Sequence, residues 1–386
     1  MAFKRIIKRP EQSFFLLGPR GTGKSTWLRE HFSNAHWVDL LNESLFQRLV
    51  ARPETFVDQL RSLPKDKWVV VDEVQRLPNL LNEVHRSIES EGRRFVLCGS
   101  SARKLYRAGV NLLAGRALIK HMHPFVPEEV KGAFHLEDVF STGMLPVVWG
   151  STDRIASLEA YTQLYLQAEI QSEALVRNLS GFARFLPVAA LLHGQTLNAS
   201  NVAREAGVAR NTVGDYLTIL EETLLCFRVP AFEAKLRLRE RRSPKWYWCD
   251  PGLVRAMKQR LGPVTPEERG ALFEGMVAQT LRAYRDYEGA YDRMGYWQPA
   301  SAVGTEVDFV LTRGEAKVAV EVKSGESFHD SWCRGLRAIR ELGGLTRRIL
   351  VYPDGPELRL ADGIEVMPYL RFVELLATRT LWPTGS

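Results

Sequence analysis

The chain has 386 residues, enough for two or three domains with ample core, and its 45% hydrophobic and 25% charged content is that of an ordinary globular protein without repeats or low-complexity tracts. No apolar run approaches the roughly 18 residues of a membrane span, so no membrane partner is expected, and the basic segment Met1–Glu11 lacks the apolar stretch of a secretory signal. The net charge of +7 permits nucleic-acid binding without requiring it, while Cys98, Cys226, Cys249 and Cys333, with no C-x-x-C spacing, fit a reduced cytoplasm.

The first informative element in chain order is Gly18-Pro19-Arg20-Gly21-Thr22-Gly23-Lys24-Ser25, followed by Thr26. It fits G-x-x-x-x-G-K-[ST], lies between the apolar run Phe14–Leu17 and a helix expected over Ser25–Phe32, and so has the strand–loop–helix setting of a P-loop. Glycines let the loop turn its backbone N–H groups toward phosphate oxygens, and the helix adds its positive end. Lys24 is expected on the β- and γ-phosphates of ATP and the Ser25 hydroxyl on Mg²⁺. The bland alternative is a Gly-rich turn beside a surface lysine.

Short apolar runs alternate with helical stretches at Ser13–Leu17, His36–Leu40, Trp68–Val71, Phe95–Cys98 and Ala117–His121, which predicts a parallel sheet covered by helices. The strand Trp68–Val71 ends in Asp72 and Glu73. Asp72 is the expected Mg²⁺ partner and Glu73 the general base for the attacking water, against the plainer reading of a solvated acidic strand end. With His36–Leu40 intervening, the strand order is that of additional-strand P-loop ATPases. Ser100 or Ser101, after Phe95–Gly99, either contacts the γ-phosphate or attacking water or caps a helix beginning near Ala102. Arg116 either stabilises transition-state charge, in its own or a neighbouring subunit's site, or is an ordinary surface arginine.

Residues 151–245 read as a helical middle domain after a first domain of about 1–150. Leu158–Leu175 is expected as one amphipathic helix. Val202, Ala206, Gly207, Val213, Leu217 and Leu220 have helix-turn-helix spacing, with a wing expected after Thr223 and a possible recognition helix starting at Arg210-Asn211-Thr212. Asp215, Glu221 and Glu222 on that helix would repel phosphate. The basic segment Lys235–Lys245 either tracks a phosphate backbone or is a charged edge strand.

In residues 246–386, Glu306–Leu311 and Val318–Lys323 alternate with period two, so two adjacent strands would bring Asp308, Glu321 and Lys323 together. Such a set, with Glu274 on an upstream helix over Gly270–Tyr284, suits a Mg²⁺-dependent phosphodiesterase: carboxylates hold the metal and the lysine steadies the water or the developing charge. Alternatively, Glu321 and Lys323 form an exposed cross-pair worth under about 1 kcal/mol.

These stretches occur in an order that resembles the prokaryotic AAA-type ATPases carrying a C-terminal domain of unknown function related to PD-(D/E)XK nucleases. The residues concerned are Gly18–Ser25, Val70–Gln75, Cys98–Ser101, Leu113–Arg116, Asn211–Val213 with Leu220-Glu221, Ser243–Lys245, Cys249–Leu253, Glu306–Phe309 and Glu321–Gly325. The resemblance implies an α/β chain with an AAA-like P-loop ATPase core, a winged-helix middle and a restriction-endonuclease-like C-terminal fold. It implies ring-forming homo-oligomers, a trans role for Arg116, and nuclease positions at Glu274, Asp308, Glu321 and Lys323. No Gln-x-x-x-Tyr helix follows Lys323, which argues against an exonuclease of the type that carries one. The expected partner is DNA, recognised by structure rather than sequence; the rival expectation is a nucleotide-dependent switch with a catalytically inactive module.

Overall fold

The computed structural model describes residues 3–101, 115–165, 178–234, 242–299 and 305–383. They fall into two compact units, Lys4–Pro124 with Leu220–Leu225, and Phe125–Ile219 with the residues from Cys226 onward. The sequence suggested a first domain ending near residue 150; the compact division lies at Pro124, and 125–150 cluster with the second unit.

The first unit is built on β1 (Phe14–Leu17), β2 (His36–Asp39), β3 (Val69–Asp72), β4 (Phe95–Gly99) and β5 (Leu118–His121), close to the expected spans. All run parallel in the order β2-β3-β4-β1-β5. The central strands are apolar along their whole length because both faces are covered: every residue of β1, β3 and β4 is buried. Phe15, Leu17, Val71, Leu97, Leu81 and Val84 share one core beneath the amphipathic helix Leu80–Glu91. With β4 between β1 and β3, the carboxyl ends of three consecutive strands meet at one edge of the sheet, where open α/β sheets bind ligands.

The second unit holds two sheets. The larger has the order β13-β14-β12-β11-β10-β9, formed by β9 (Arg293–Trp297), β10 (Val307–Arg313), β11 (Ala316–Val322), β12 (Leu345–Tyr352), β13 (Leu358–Arg359) and β14 (Glu365–Pro368). β10 and β11 form an antiparallel hairpin with Phe309 opposite Val320, which puts Asp308 beside Glu321. The helix Pro266–Glu288 starts four residues before the sequence suggested, because Thr265 and Glu268 form a capping box ahead of Pro266. The smaller sheet, β6-β8-β7, comprises β6 (Gln195–Thr196), β7 (Cys226–Val229) and β8 (Lys245–Trp248).

Between β6 and β7 lie the helices Ala199–Ala206 and Arg210–Glu222, joined where Gly207 takes a left-handed φ of 63°. Asn198 caps the first through the Ser200 and Asn201 N–H groups. The helix expected over Leu158–Leu175 begins earlier, at Arg154, where the Asp153 carboxylate caps it, and its α-helical part ends at Ala160, passing into a π-helical turn at Tyr161–Tyr165. The rest of that segment, and residues 235–241 of the basic stretch, lie outside the described residues. Among the described residues no helix is long and apolar enough to cross a membrane. All four cysteines are buried free thiols.

Asp250 ties the second unit together. Fully buried, it caps the helix Pro251–Met257 through Leu253 N–H (3.2 Å) and accepts Met144 N–H at 2.6 Å. Burial pushes its pKa up to about 6 despite those donors. Asp250→Ala is expected to strip two buried N–H groups of their acceptor and destabilise the second unit by about 2–4 kcal/mol. A urea denaturation midpoint equal to wild type would contradict this role.

Candidate functional site

The β1 tip runs into the Gly18–Ser25 loop and the helix Lys24–His31. The loop needs glycine where it has it. A Cβ on Gly18 would lie 2.3 Å from the Met122 carbonyl oxygen, and Gly23 sits at φ 85°, a left-handed conformation. Pro19 and Thr22 are buried, with Thr22 Oγ1 donating to the Pro19 carbonyl at 2.8 Å, while Arg20 and Thr26 are exposed and Gly21 is partly covered. The buried Lys24 donates from Nζ to the carbonyls of Gly18 (2.8 Å) and Pro19 (3.0 Å), holding its ammonium inside the loop. Arg5, which the sequence did not single out, braces the loop by donating to the carbonyls of Thr22 (2.7 Å) and His123 (2.6 Å).

Across the sheet edge, Ser25 Oγ donates to Asp72 Oδ2 at 2.9 Å. A hydroxyl and a carboxylate at this separation, beside the loop, are a hard-oxygen pair suited to Mg²⁺ carried by a triphosphate, so the residues fit that ion. Glu73 follows in a left-handed conformation, φ 56°, sparsely populated for a residue with a side chain. Its carboxylate accepts from Gln75 Nε2, which also donates to Ser100 Oγ at 3.0 Å; Ser100 Oγ is 3.5 Å from Glu73 Oε2. Gln75 was missed by sequence reasoning. Its signal is Gly99, where a Cβ would stand 2.5 Å from Gln75 Oε1. Thus Lys24, Ser25, Asp72, Glu73 and Ser100 gather on one edge of the sheet, as expected. Arg116 Nε donates to Glu89 Oε1 at 2.7 Å on the helix Leu80–Glu91.

The second candidate set also converges, but not as a metal centre. Asp308 and Glu321 are 1% and 3% exposed, so the Glu321–Lys323 pair of the alternative reading does form, but with its carboxylate buried rather than solvated. Glu274, on the third turn of the helix Pro266–Glu288, joins them. Lys323 donates to Glu321 Oε1 at 2.5 Å. Between the carboxylates stands Lys245, from β8. Its Nζ is 2.9 Å from Glu274 Oε1, 3.2 Å from Asp308 Oδ1 and 3.5 Å from Glu306 Oε2. Tyr247 OH donates to Glu274 Oε1 at 2.5 Å, and Val322 N–H to Asp308 Oδ2 at 2.9 Å.

Among the described residues no group of three or more acidic, His or Cys side chains is arranged to hold a metal ion. In place of the Mg²⁺ expected at Glu274, Asp308 and Glu321, the Lys245 ammonium occupies the space between Glu274 and Asp308. Lys245, the end of a basic stretch expected either to track a phosphate backbone or to guard a solvated edge strand, is 3% exposed and does neither. Its signal was Lys245-Trp246-Tyr247-Trp248: an aromatic strand buried on both faces can carry a lysine only if acids meet it.

Burial, and then the Asp308 charge, raise the Glu274 pKa to about 7; burial likewise raises Glu321. Burial alone would lower the Lys245 pKa, but Glu274, Tyr247 and Asp308 outweigh it and hold the ammonium charged. The folded protein keeps a proton on Glu274 that the unfolded chain releases from about pH 4.5, so this group's contribution falls as pH rises toward 7. Glu274→Gln is expected to become less destabilising relative to wild type across that window, read from denaturation midpoints at pH 5 and 7. A gap between the two proteins that stays constant or widens would refute it.

A further basic feature is a surface cavity of about 520 Å³ lined by Arg340, Arg347, Arg348 and Arg359. Glu365 there is engaged by Arg347 in a two-pronged pair at 2.8 and 2.7 Å.

Three family models match in succession: an AAA domain over residues 10–131, a domain of unknown function (DUF8612) over 133–263 and a domain of unknown function (DUF4143) over 269–372. The first supports an AAA-type ATPase, a class that binds nucleotide, typically with Mg²⁺. Uncharacterised proteins of Mycobacterium bovis and Mycobacterium tuberculosis are each 26% identical over 363 residues, spanning 92% of this chain and 79% of theirs. A Vibrio cholerae protein of known structure aligns over 96% of this chain and 97% of its own at 15% identity and a TM-score of 0.23. A type III CRISPR defence DNA nuclease activated by cyclic oligoadenylate aligns over 99% of this chain and 54% of its own, at 15% identity and a TM-score of 0.22. Neither score is high enough to carry an argument about fold.

Proposed function

We propose that this chain hydrolyses ATP at the Gly18–Ser25 loop and uses the turnover to remodel or move on DNA, acting as a homo-oligomer. The observation that carries the reading is the Ser25–Asp72 hydrogen bond at 2.9 Å with Glu73, Gln75 and Ser100 beside it. Loop N–H groups and the Lys24 ammonium bind and orient the β- and γ-phosphates. Ser25 and Asp72 hold Mg²⁺, which supplies charge neutralisation on the phosphates when bound. Glu73 takes the proton of the attacking water, and Gln75 with Ser100 fixes the carboxylate. Arg116, paired with Glu89, is exposed enough to be recruited to a neighbouring subunit's site in an oligomer, with a switch of partner.

DNA as partner is supported by the arginine cavity, by Arg210 and Asn211 exposed at the start of their helix, and by the net charge of +7. The two helices about Gly207, followed by β7 and β8, support the winged-helix reading. A nucleotide-dependent switch with a non-cutting C-terminal module is the second reading, favoured by Lys245 among the carboxylates; it gives slow turnover that DNA leaves unchanged.

Steady-state ATP turnover, with and without linear, circular and branched DNA, separates the two. Glu73→Gln and Lys24→Ala are expected to lower turnover by about 10²-fold or more. Turnover unaffected by Lys24→Ala would end the ATPase reading, and turnover indifferent to every DNA would end coupling. Arg340→Glu with Arg359→Glu is expected to weaken DNA binding and flatten its dependence on salt, measured by fluorescence anisotropy. Unchanged affinity at all salt concentrations would remove that cavity from the interface.

A further inference from the structure

Four of the six carboxylate oxygens of Glu274, Asp308 and Glu321 already accept hydrogen bonds. Asp308 accepts Lys245 Nζ on Oδ1 and Val322 N–H on Oδ2. Glu274 accepts both Lys245 Nζ and Tyr247 OH on Oε1, and Glu321 accepts Lys323 on Oε1. Only Glu321 Oε2 is buried without a hydrogen-bond partner among the described residues. Mg²⁺ takes about six oxygens at roughly 2.1 Å, one or two of them from carboxylates with lone pairs turned inward and the rest from water or substrate. Here the inward lone pairs of Glu274 and Asp308 converge on an ammonium that donates to both, with Glu306 Oε2 3.5 Å away. Tyr296 closes the position, its ring centroid 5.5 Å from Nζ. A second cation placed beside that ammonium would meet repulsion in a site with little water to screen it.

We infer that the Lys245 ammonium is the resident cation between Glu274 and Asp308, with Lys323 on the neighbouring Glu321, standing where a nuclease would hold its metal, so that this domain binds no divalent ion there and does not cut phosphodiesters. Lys245 belongs to the sheet that follows the helix pair, whereas Asp308 and Glu321 belong to the hairpin of the larger sheet. The Lys245–Asp308 ion pair thus also links one sheet to the other. The inference stands apart from ATP hydrolysis, which is assayed independently.

The test is Mn²⁺ binding to full-length, nucleotide-free protein, read by electron paramagnetic resonance, for wild type, Asp308→Asn, Lys245→Met and Lys245→Met/Asp308→Asn. Wild type and Asp308→Asn are expected to give the same isotherm. Lys245→Met is expected to gain a site at least about tenfold tighter than any wild-type binding, lost again in the double variant. Wild-type binding that Asp308→Asn removes would overturn the inference, as would Mg²⁺-dependent cleavage of plasmid DNA by wild type but not by Asp308→Asn. A folded Lys245→Met that gains no site would also overturn it. Should Lys245→Met not fold, wild type against Asp308→Asn still decides, in both binding and cleavage.

Discussion

A single hydrogen bond between residues 47 apart in sequence, Ser25 to Asp72, depends on the whole arrangement of the first unit. It exists because β4 lies between β1 and β3 and all three run the same way, bringing their carboxyl ends to one level. The apolar content of these strands is what makes that order stable. Strands buried on both faces are committed to the sheet interior, and the polar residues that follow each one are left at its edge. The loop, the acid pair and Ser100 are therefore consequences of one layered core around Phe15, Leu17, Val71 and Leu97.

The second unit treats its charges differently. In the first unit Lys24, Asp72 and Ser100, although buried, sit at the strand tips beside the loop, whereas in the second unit Asp250, Asp308, Glu321 and Lys245 are buried away from any such loop, with Glu274 half-buried beside them. Burying so much charge is unfavourable unless each group finds partners. Asp250 is met by backbone N–H groups, and the three remaining acids are met by two lysines, a tyrosine and a backbone N–H. A pattern of acids on neighbouring strands is thus compatible with two opposite chemistries, a metal centre or an ionic knot, and the deciding residue comes from a third strand.

That difference explains what was legible in the sequence. The strands of the first unit, the loop and the acid pair could be read because they rest on local patterns: apolar runs, a fixed glycine–lysine spacing, acids at a strand tip. The pairing of Asp308 with Glu321 was legible for the same reason, from period-two alternation on a hairpin. Its environment was not. Alternation suggests one solvated face, yet β10 and β11 are covered on both sides, and nothing local to Glu321 announces that. Lys245 lies 63 residues from Asp308, next to a run of arginines that made it look like one more surface charge. Gln75 and Arg5 act through contacts that sequence spacing does not encode. The passage from the α-helix Arg154–Ala160 into a π-helical turn at Tyr161–Tyr165 is a local change of hydrogen-bond register rather than the work of a helix-breaking residue.

The reach of Lys245 from one sheet into another has a mechanical corollary. Peeling the three-stranded layer away would leave several carboxylates in a dry interior with no counter-charge, a state far costlier than either layer intact. The two layers should consequently melt in one step, and a tug on the strand that carries this lysine would be felt at once by the hairpin holding its acids.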